Sequence, residues 1–192
     1  MQPSTEGALG LASSLLDSSA LRDLAELHLG SHGIRWLHTQ GVGAKAEWLA
    51  PRLPIFQKDR DKLVNAAWLH DIGYAFPELH QWHPVAGARF LDSCGLGDIA
   101  PFVAWHSTAD YEAELLGHEP DLASWKRHRT LVQDALDWCD MTTSPTGFTV
   151  SIYERLAEVG HSHGERSPQY MAMKSAMWRL KMIDGEMSKF IR

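Results

Sequence analysis

Apolar residues recur along most of this chain at intervals of three and four, the spacing of helices that bury one face. Leu11, Leu15, Leu16, Leu21, Leu24, Ala25, Leu27 and Leu29 trace one or two helices over 9–29, with Asp17-Ser18-Ser19 as a cap-type break and Gly30 as the stop. Ile34, Leu37, Val42, Ala46 and Leu49 predict a helix over 31–50. Gly33, Gly41 and Gly43 weaken it and point to close packing against a neighbour. Past Pro51 and Pro54, Asp59 caps a helix over 60–70, and a loop rich in Pro, His and aromatics spans 74–82. Helices over 83–95, 97–106 and 110–116 lead through a loop at 117–121 to a long amphipathic helix over 122–141. Ser144-Pro145 breaks it, and helices over 150–159 and 168–190, separated by a turn at 160–164, complete the chain. No stretch alternates in the manner of a strand, and no repeat or low-complexity linker interrupts the pattern. The expected architecture is one all-α domain, a helical bundle spanning 1–192.

Composition narrows the partners. A net charge of −6 argues against a nucleic-acid polymer bound on a broad basic face. It leaves room for a small anionic substrate at a site where bound metal supplies positive charge. Cys94 and Cys139 have no CxxC spacing and read as reduced thiols of a cytoplasmic protein. No apolar run approaches the roughly 20 residues of a membrane helix, and no secretory leader is evident.

Histidine is unusually frequent, with eleven in the chain. The apolar run Leu63, Val64, Ala66, Ala67, Trp68, Leu69 closes on His70-Asp71, just ahead of Gly73. An imidazole and a carboxylate at the end of a dry helix need partners, and one cation satisfies both; a simple capping pair is the alternative. His38, His83, His106 and Asp140 also sit in or at the ends of apolar segments. Polar groups at the inward ends of several packed helices are how bundles build metal sites, and four imidazoles with two carboxylates suit two ions. Arg35 lies three residues before His38, on nearly the same face, where it holds a phosphate bidentately or, as the alternative, supports a ligand or lies exposed.

The order His38, His70-Asp71, Asp140 resembles the HD superfamily of metal-dependent phosphohydrolases, and Leu69-His70-Asp71-Ile72-Gly73 matches its HDIG form. Arg35-Trp36-Leu37-His38, His83-Pro84-Val85-Ala86-Gly87-Ala88-Arg89, Ala104-Trp105-His106-Ser107 and Asp137-Trp138-Cys139-Asp140-Met141-Thr142-Thr143 are similar to motifs of a compact bacterial branch. The resemblance covers about 27–156, with the helices over 150–190 packed on that core. It implies an HD-type bundle in which His38, His70, Asp71 and Asp140 are the core metal ligands and His83 and His106 bind a second ion. Related sequences often carry adjacent histidines where this one has Trp105-His106, so the ligand falls on His106. The implied cofactor is a divalent transition metal, two per chain: manganese, iron, nickel, cobalt or zinc, with magnesium also admitted. The implied reaction is hydrolysis of a small phosphorylated metabolite, a nucleotide above all, as monoester or diester, by metal-activated water. His70, Asp71, Arg35 and His80 are the catalytic candidates, His80 as a general acid lining the pocket or as a surface histidine. A di-iron oxygenase acting on a polyol or phosphonate and a non-catalytic binding domain are the alternatives within the same fold.

The remaining candidates read more plainly. His28 and His32 cap or decorate helix ends, and His118, His128, His161 and His163 are solvated. Asp137 competes with Asp140 for the last ligand and is expected to support it; Asp134 is a further acid nearby. Glu112 and Glu114 either support a histidine ligand or lie exposed, and Trp82 is the tryptophan placed to stack on a substrate ring. The C-terminal helix, with Met171, Met173, Met177, Trp178, Leu180 and Met182, is apolar enough to close the core or join a second copy as a homodimer.

Overall fold

A computed structural model describes residues 18–191. Its helices are α1 (Ser18–Leu29), α2 (Ile34–Leu49), α3 (Gln57–Leu69), α4 (His83–Ser93), α5 (Ala100–Ala104), α6 (Ala109–Leu116), α7 (Glu119–Leu122), α8 (Leu131–Met141), α9 (Ile152–His163) and α10 (Pro168–Met187). Short 3-10 turns follow α2 and α3, at Ala50–Arg52 and Ile72–Ala75. Among the described residues there is no β-strand, only one antiparallel bridge between Thr143 and Thr149. The architecture is an all-α, single-domain helical bundle. The part of the first helical stretch expected over 9–17 lies outside the described residues. Among the described residues, no helix is long and apolar enough to cross a membrane.

The bundle is organised around α3, which packs against α1, α2, α5 and α8. Its C-terminal half is apolar apart from Asn65: Leu63, Ala66, Ala67, Trp68 and Leu69 are buried. A helix that is hydrophobic all round must be surrounded, and its polar end is then forced into the interior. The small residues of α2 allow the approach foreseen from its glycines. A Cβ on Gly43 would run into the Trp68 ring, so a side chain there would push α2 off α3. Gly73 is tighter still, because a Cβ there would collide with the backbone carbonyl of His83. That glycine brings the turn after α3 against the start of α4.

The C-terminal helices close one side. α10 packs on α6, α8 and α9, and Met141, Ile152, Met173, Ala176 and Leu180 form a satellite core beneath them. The N-terminus of α9 is fixed by a capping box between Ser151 and Glu154.

Several boundaries differ from the hydrophobic pattern for identifiable reasons. The helix expected over 122–141 starts only at Leu131, where the Thr130 hydroxyl accepts from Gln133 N–H. Upstream, Arg127 is drawn out to Asp110 at 2.7 Å and His128 stacks on Phe102, contacts a continuous helix would not align. The loop expected over 117–121 contains α7, opened by Pro120 in its first turn. The expected turn at 160–164 is instead the end of α9, which continues to His163 and stops where Gly164 takes φ +86°. The cap expected from Asp59 is absent: α3 begins at Gln57, leaving Asp59 inside its first turn, where an acid favours the helix dipole.

Candidate metal centre

The ends of α3 and α5 carry the same local device. His70 follows α3 and holds Ala67 O at 2.7 Å through Nδ1; His106 follows α5 and holds Val103 O at 2.5 Å the same way. A carbonyl can only accept, so each Nδ1 carries the proton and each Nε2 presents a lone pair. His38, on α2, repeats this from another direction, its Nδ1 facing Ser144 O at 3.1 Å in the loop after α8. Fixing the tautomer through the outer nitrogen is how metal-binding imidazoles are oriented.

The inner nitrogens then meet groups that also lack protons. His38 Nε2 is 3.0 Å from Asp140 Oδ1, and His70 Nε2 is 3.4 Å from Asp71 Oδ2 and 4.0 Å from Asp140 Oδ1. His83 Nε2 and His106 Nε2 are 3.3 Å apart. Asp71 Oδ1 lies 3.4 Å from His83 Nε2 and 3.9 Å from His106 Nε2. The two oxygens of Asp71 thus face different groups: Oδ2 the trio with His38 and His70, Oδ1 the trio with His83 and His106. Within each trio, ligand atoms lie within 4.8 Å of one another.

Burial makes this arrangement costly without a cation. His38, His70, Asp71, His106 and Asp140 are all buried, and His70 Nε2 has no hydrogen-bond partner among the described residues. An orphaned imidazole nitrogen aimed at carboxylates fits a divalent metal, which accepts both donor types in one place. The donor set of imidazole and carboxylate suits a first-row transition ion. Burial pushes the Asp71 carboxyl up, but Arg35, His70, His83 and His38 outweigh it and hold the group well below the usual carboxylate range. Asp140 is likewise held low against its burial, chiefly by the His38 hydrogen bond and His70. Burial pulls His83 well below the ordinary imidazole value, partly opposed by Asp71. Both carboxylates and His83 are therefore in their metal-binding protonation states at neutral pH.

Arg35 donates from Nη1 to Asp71 Oδ2 at 2.9 Å and lies over the Tyr74 ring at 4.1 Å. Tyr74 in turn stacks on His83, with centroids 4.1 Å apart. Tyr74 thereby fixes Arg35 and His83 together, a role the sequence pattern does not signal beyond its place next to the His-Asp motif. Trp105 turns away, its indole N–H donating to Trp125 O at 2.9 Å, so His106 alone of that pair faces the site.

Other candidates fall elsewhere. His80 is not among the residues lining the cavity over the centre. Its Nδ1 accepts Trp82 N–H at 3.0 Å while its Nε2 lies 3.4 Å from Asp121 Oδ2. His118 shares that oxygen at 3.2 Å and stacks on Trp82, so His118 is not the solvated group expected and the Trp82 ring is taken by His118, outside the cavity over the centre. His28 packs on Phe76 and Phe90 instead of capping a helix. Asp137 does not reach Asp140's partners. It accepts from Ser107 N at 2.8 Å, Gln133 at 3.1 Å and Arg179 at 2.7 Å. Ser107 holds a positive φ of 61°, and Arg179 also donates to its carbonyl at 2.7 Å. This brace locks the backbone one residue past His106. Burial raises the Asp137 carboxyl to about 6, against the pull of Arg179.

A cavity of about 90 Å³ opens over the centre. Arg35, Asp71, His83, His106 and Asp140 form its floor, while Glu112 of α6, Arg155 and His163 of α9 and Gln169 of α10 form walls. Burial raises the Glu112 carboxyl above its ordinary value, with Trp82 and His106 opposing the shift. Reading single residues misses these walls. Arg155, Val159 and His163 recur at i, i+4 and i+8, a face of mixed polarity that carries no motif.

Residues 35–142 match the family model for the HD domain, more than half of the chain and every ligand candidate. Comparison with curated proteins and with solved structures returned no match.

Proposed function

The chain belongs to the HD-domain family, and from that premise we propose that it is a phosphohydrolase acting on a small phosphorylated metabolite, with nucleotides as the first class to test. The observation that carries this reading is the division of Asp71, whose two oxygens face two imidazole groups 3.4 Å away on either side. Two divalent ions, held by His38, His70, Asp71 and Asp140 and by Asp71, His83 and His106, would supply Lewis acidity toward phosphoryl oxygens and a water activated at neutral pH.

The chain's own groups do the rest. Arg35 uses Nη1 to hold Asp71 and lies on the cavity floor with its remaining N–H donors for a phosphoryl oxygen. Tyr74 keeps that guanidinium from swinging away. Asp71, Asp140 and His83 stay deprotonated and take no proton from the reaction. Glu112, with its raised carboxyl on the cavity wall, can hold a proton and pass it to the departing alkoxide oxygen.

The test is phosphate release from a panel of nucleotides and sugar phosphates by protein loaded with each metal in turn. The proposal expects metal-dependent release that Asp71→Asn abolishes. Oxygen uptake with a polyol or phosphonate by iron-loaded protein, without ester hydrolysis, would replace it with an oxygenase.

A further inference from the structure

The wall contributed by α9 contains a charge that packing does not explain. Arg155 is in the first turn of that helix, where the backbone dipole disfavours a cation, and its side chain is only 11% exposed. Its ion-pair partner is Glu158, at 3.7 Å, and its Nε is buried with no hydrogen-bond partner among the described residues. A buried guanidinium offers five N–H donors and cannot shed its charge, so such partial pairing is costly. The capping box at Ser151 and Glu154 fixes the backbone of that turn and with it the point from which the Arg155 side chain departs. It lines the same cavity as Asp71, His83 and His106, and lies outside the stretch that matches the family.

We propose that Arg155 is a phosphate-binding residue that selects phosphate monoesters over diesters. The inference rests on the phosphohydrolase reading of the centre below it. A monoester presents three terminal oxygens and close to two negative charges, whereas a diester presents two oxygens and one charge. The floor of the cavity, with its metal ligands and Arg35, engages one side of a phosphoryl group. Arg155 supplies the fork for a terminal oxygen on the side of α9, the position a diester fills with a second carbon chain. Glu158 acts as the counterweight: its Oε2 faces the guanidinium across the 3.7 Å ion pair and has no hydrogen-bond partner among the described residues.

Calorimetric titration of the metal-loaded protein tests this without requiring turnover. The probes are inorganic phosphate, which mimics the monoester head, and dimethyl phosphate, which mimics the diester. Wild-type protein should bind phosphate well and dimethyl phosphate poorly. Arg155→Met should weaken phosphate roughly 10- to 100-fold, the worth of a charge-assisted hydrogen bond, with dimethyl phosphate little changed. Arg155→Lys should fall between, and Glu158→Gln, which frees the guanidinium, should tighten phosphate. Equal phosphate affinity in wild type, Arg155→Met and Glu158→Gln would overturn the proposal, as would wild-type binding of dimethyl phosphate as tight as that of phosphate. Hydrolysis of p-nitrophenyl phosphate, measured beside it, separates the two readings. Arg155-dependent binding without turnover would sink the hydrolase and keep the subsite; turnover indifferent to Arg155 would do the reverse.

Discussion

The two halves of the centre share one carboxylate and one way of orienting a histidine, and differ in their access to solvent. His38 and His70 are sealed in the bundle, their imidazoles bonded outward to the Ser144 and Ala67 carbonyls, and Asp140 meets them from the cavity floor. His83, by contrast, keeps a side chain 17% exposed and stands on the floor of a cavity under a stacked tyrosine. The sealed half is made by helices that also make the core, so its ligands are fixed by packing. The cavity half rests on a local turn and on the Asp137–Arg179 brace behind His106. The first half has the character of an anchor, and the second that of a place where substrate and water exchange.

Asp71→Asn breaks the comparison at its shared point and has the largest expected effect. Elemental analysis should find both halves depleted of metal, with phosphate release at background. Next, the halves should separate: Asp140→Ala should empty the whole centre, whereas His83→Ala should leave one ion per chain and a residual activity. Equal metal loss in both variants would show that the division of Asp71 has no thermodynamic consequence.

Arg179→Met attacks the support of the cavity half. It leaves the Asp137 carboxylate buried without its charge partner, and urea denaturation should show a loss of about 3–5 kcal/mol. Gly43→Ala tests the sealed half in the same assay. Its methyl would meet the Trp68 ring and cost about 1–3 kcal/mol. An effect of similar size is one of pH. Asp137 binds its proton more tightly folded, at about 6, than at the ordinary 3.8. Its contribution to stability is therefore fully present below about pH 4 and lost as the pH rises through about 6. Unfolding of metal-free Asp137→Asn at pH 4 and 7 should lack this component.

The same division explains what could be read from the amino acids. His38, His70-Asp71 and Asp140 sit in apolar helices whose periodicity shows that their polar groups end up inside. Gly43, which looks unfavourable in a helix, marks the contact with Trp68 that seals them. The cavity walls leave no such trace. Arg155 and His163 lie on a helix of mixed polarity, and what makes them face the centre is the docking of α9 and α10, a long-range event. His80 and His118 mislead for the opposite reason: their local surroundings are polar, yet Asp121 and Trp82 gather them into a contact of their own. Asp137 has the right spacing from Asp140 but the geometry of the following turn sends it to Ser107.

The measurement that tests the account most directly is anomalous diffraction from crystals of protein loaded with manganese or another transition ion, collected across the metal's absorption edge. The account predicts two peaks flanking Asp71, one among His38, His70 and Asp140 and one beside His83 and His106. A single peak confined to the first group, or peaks at His80, His118 and Asp121 in place of Asp71, would contradict it.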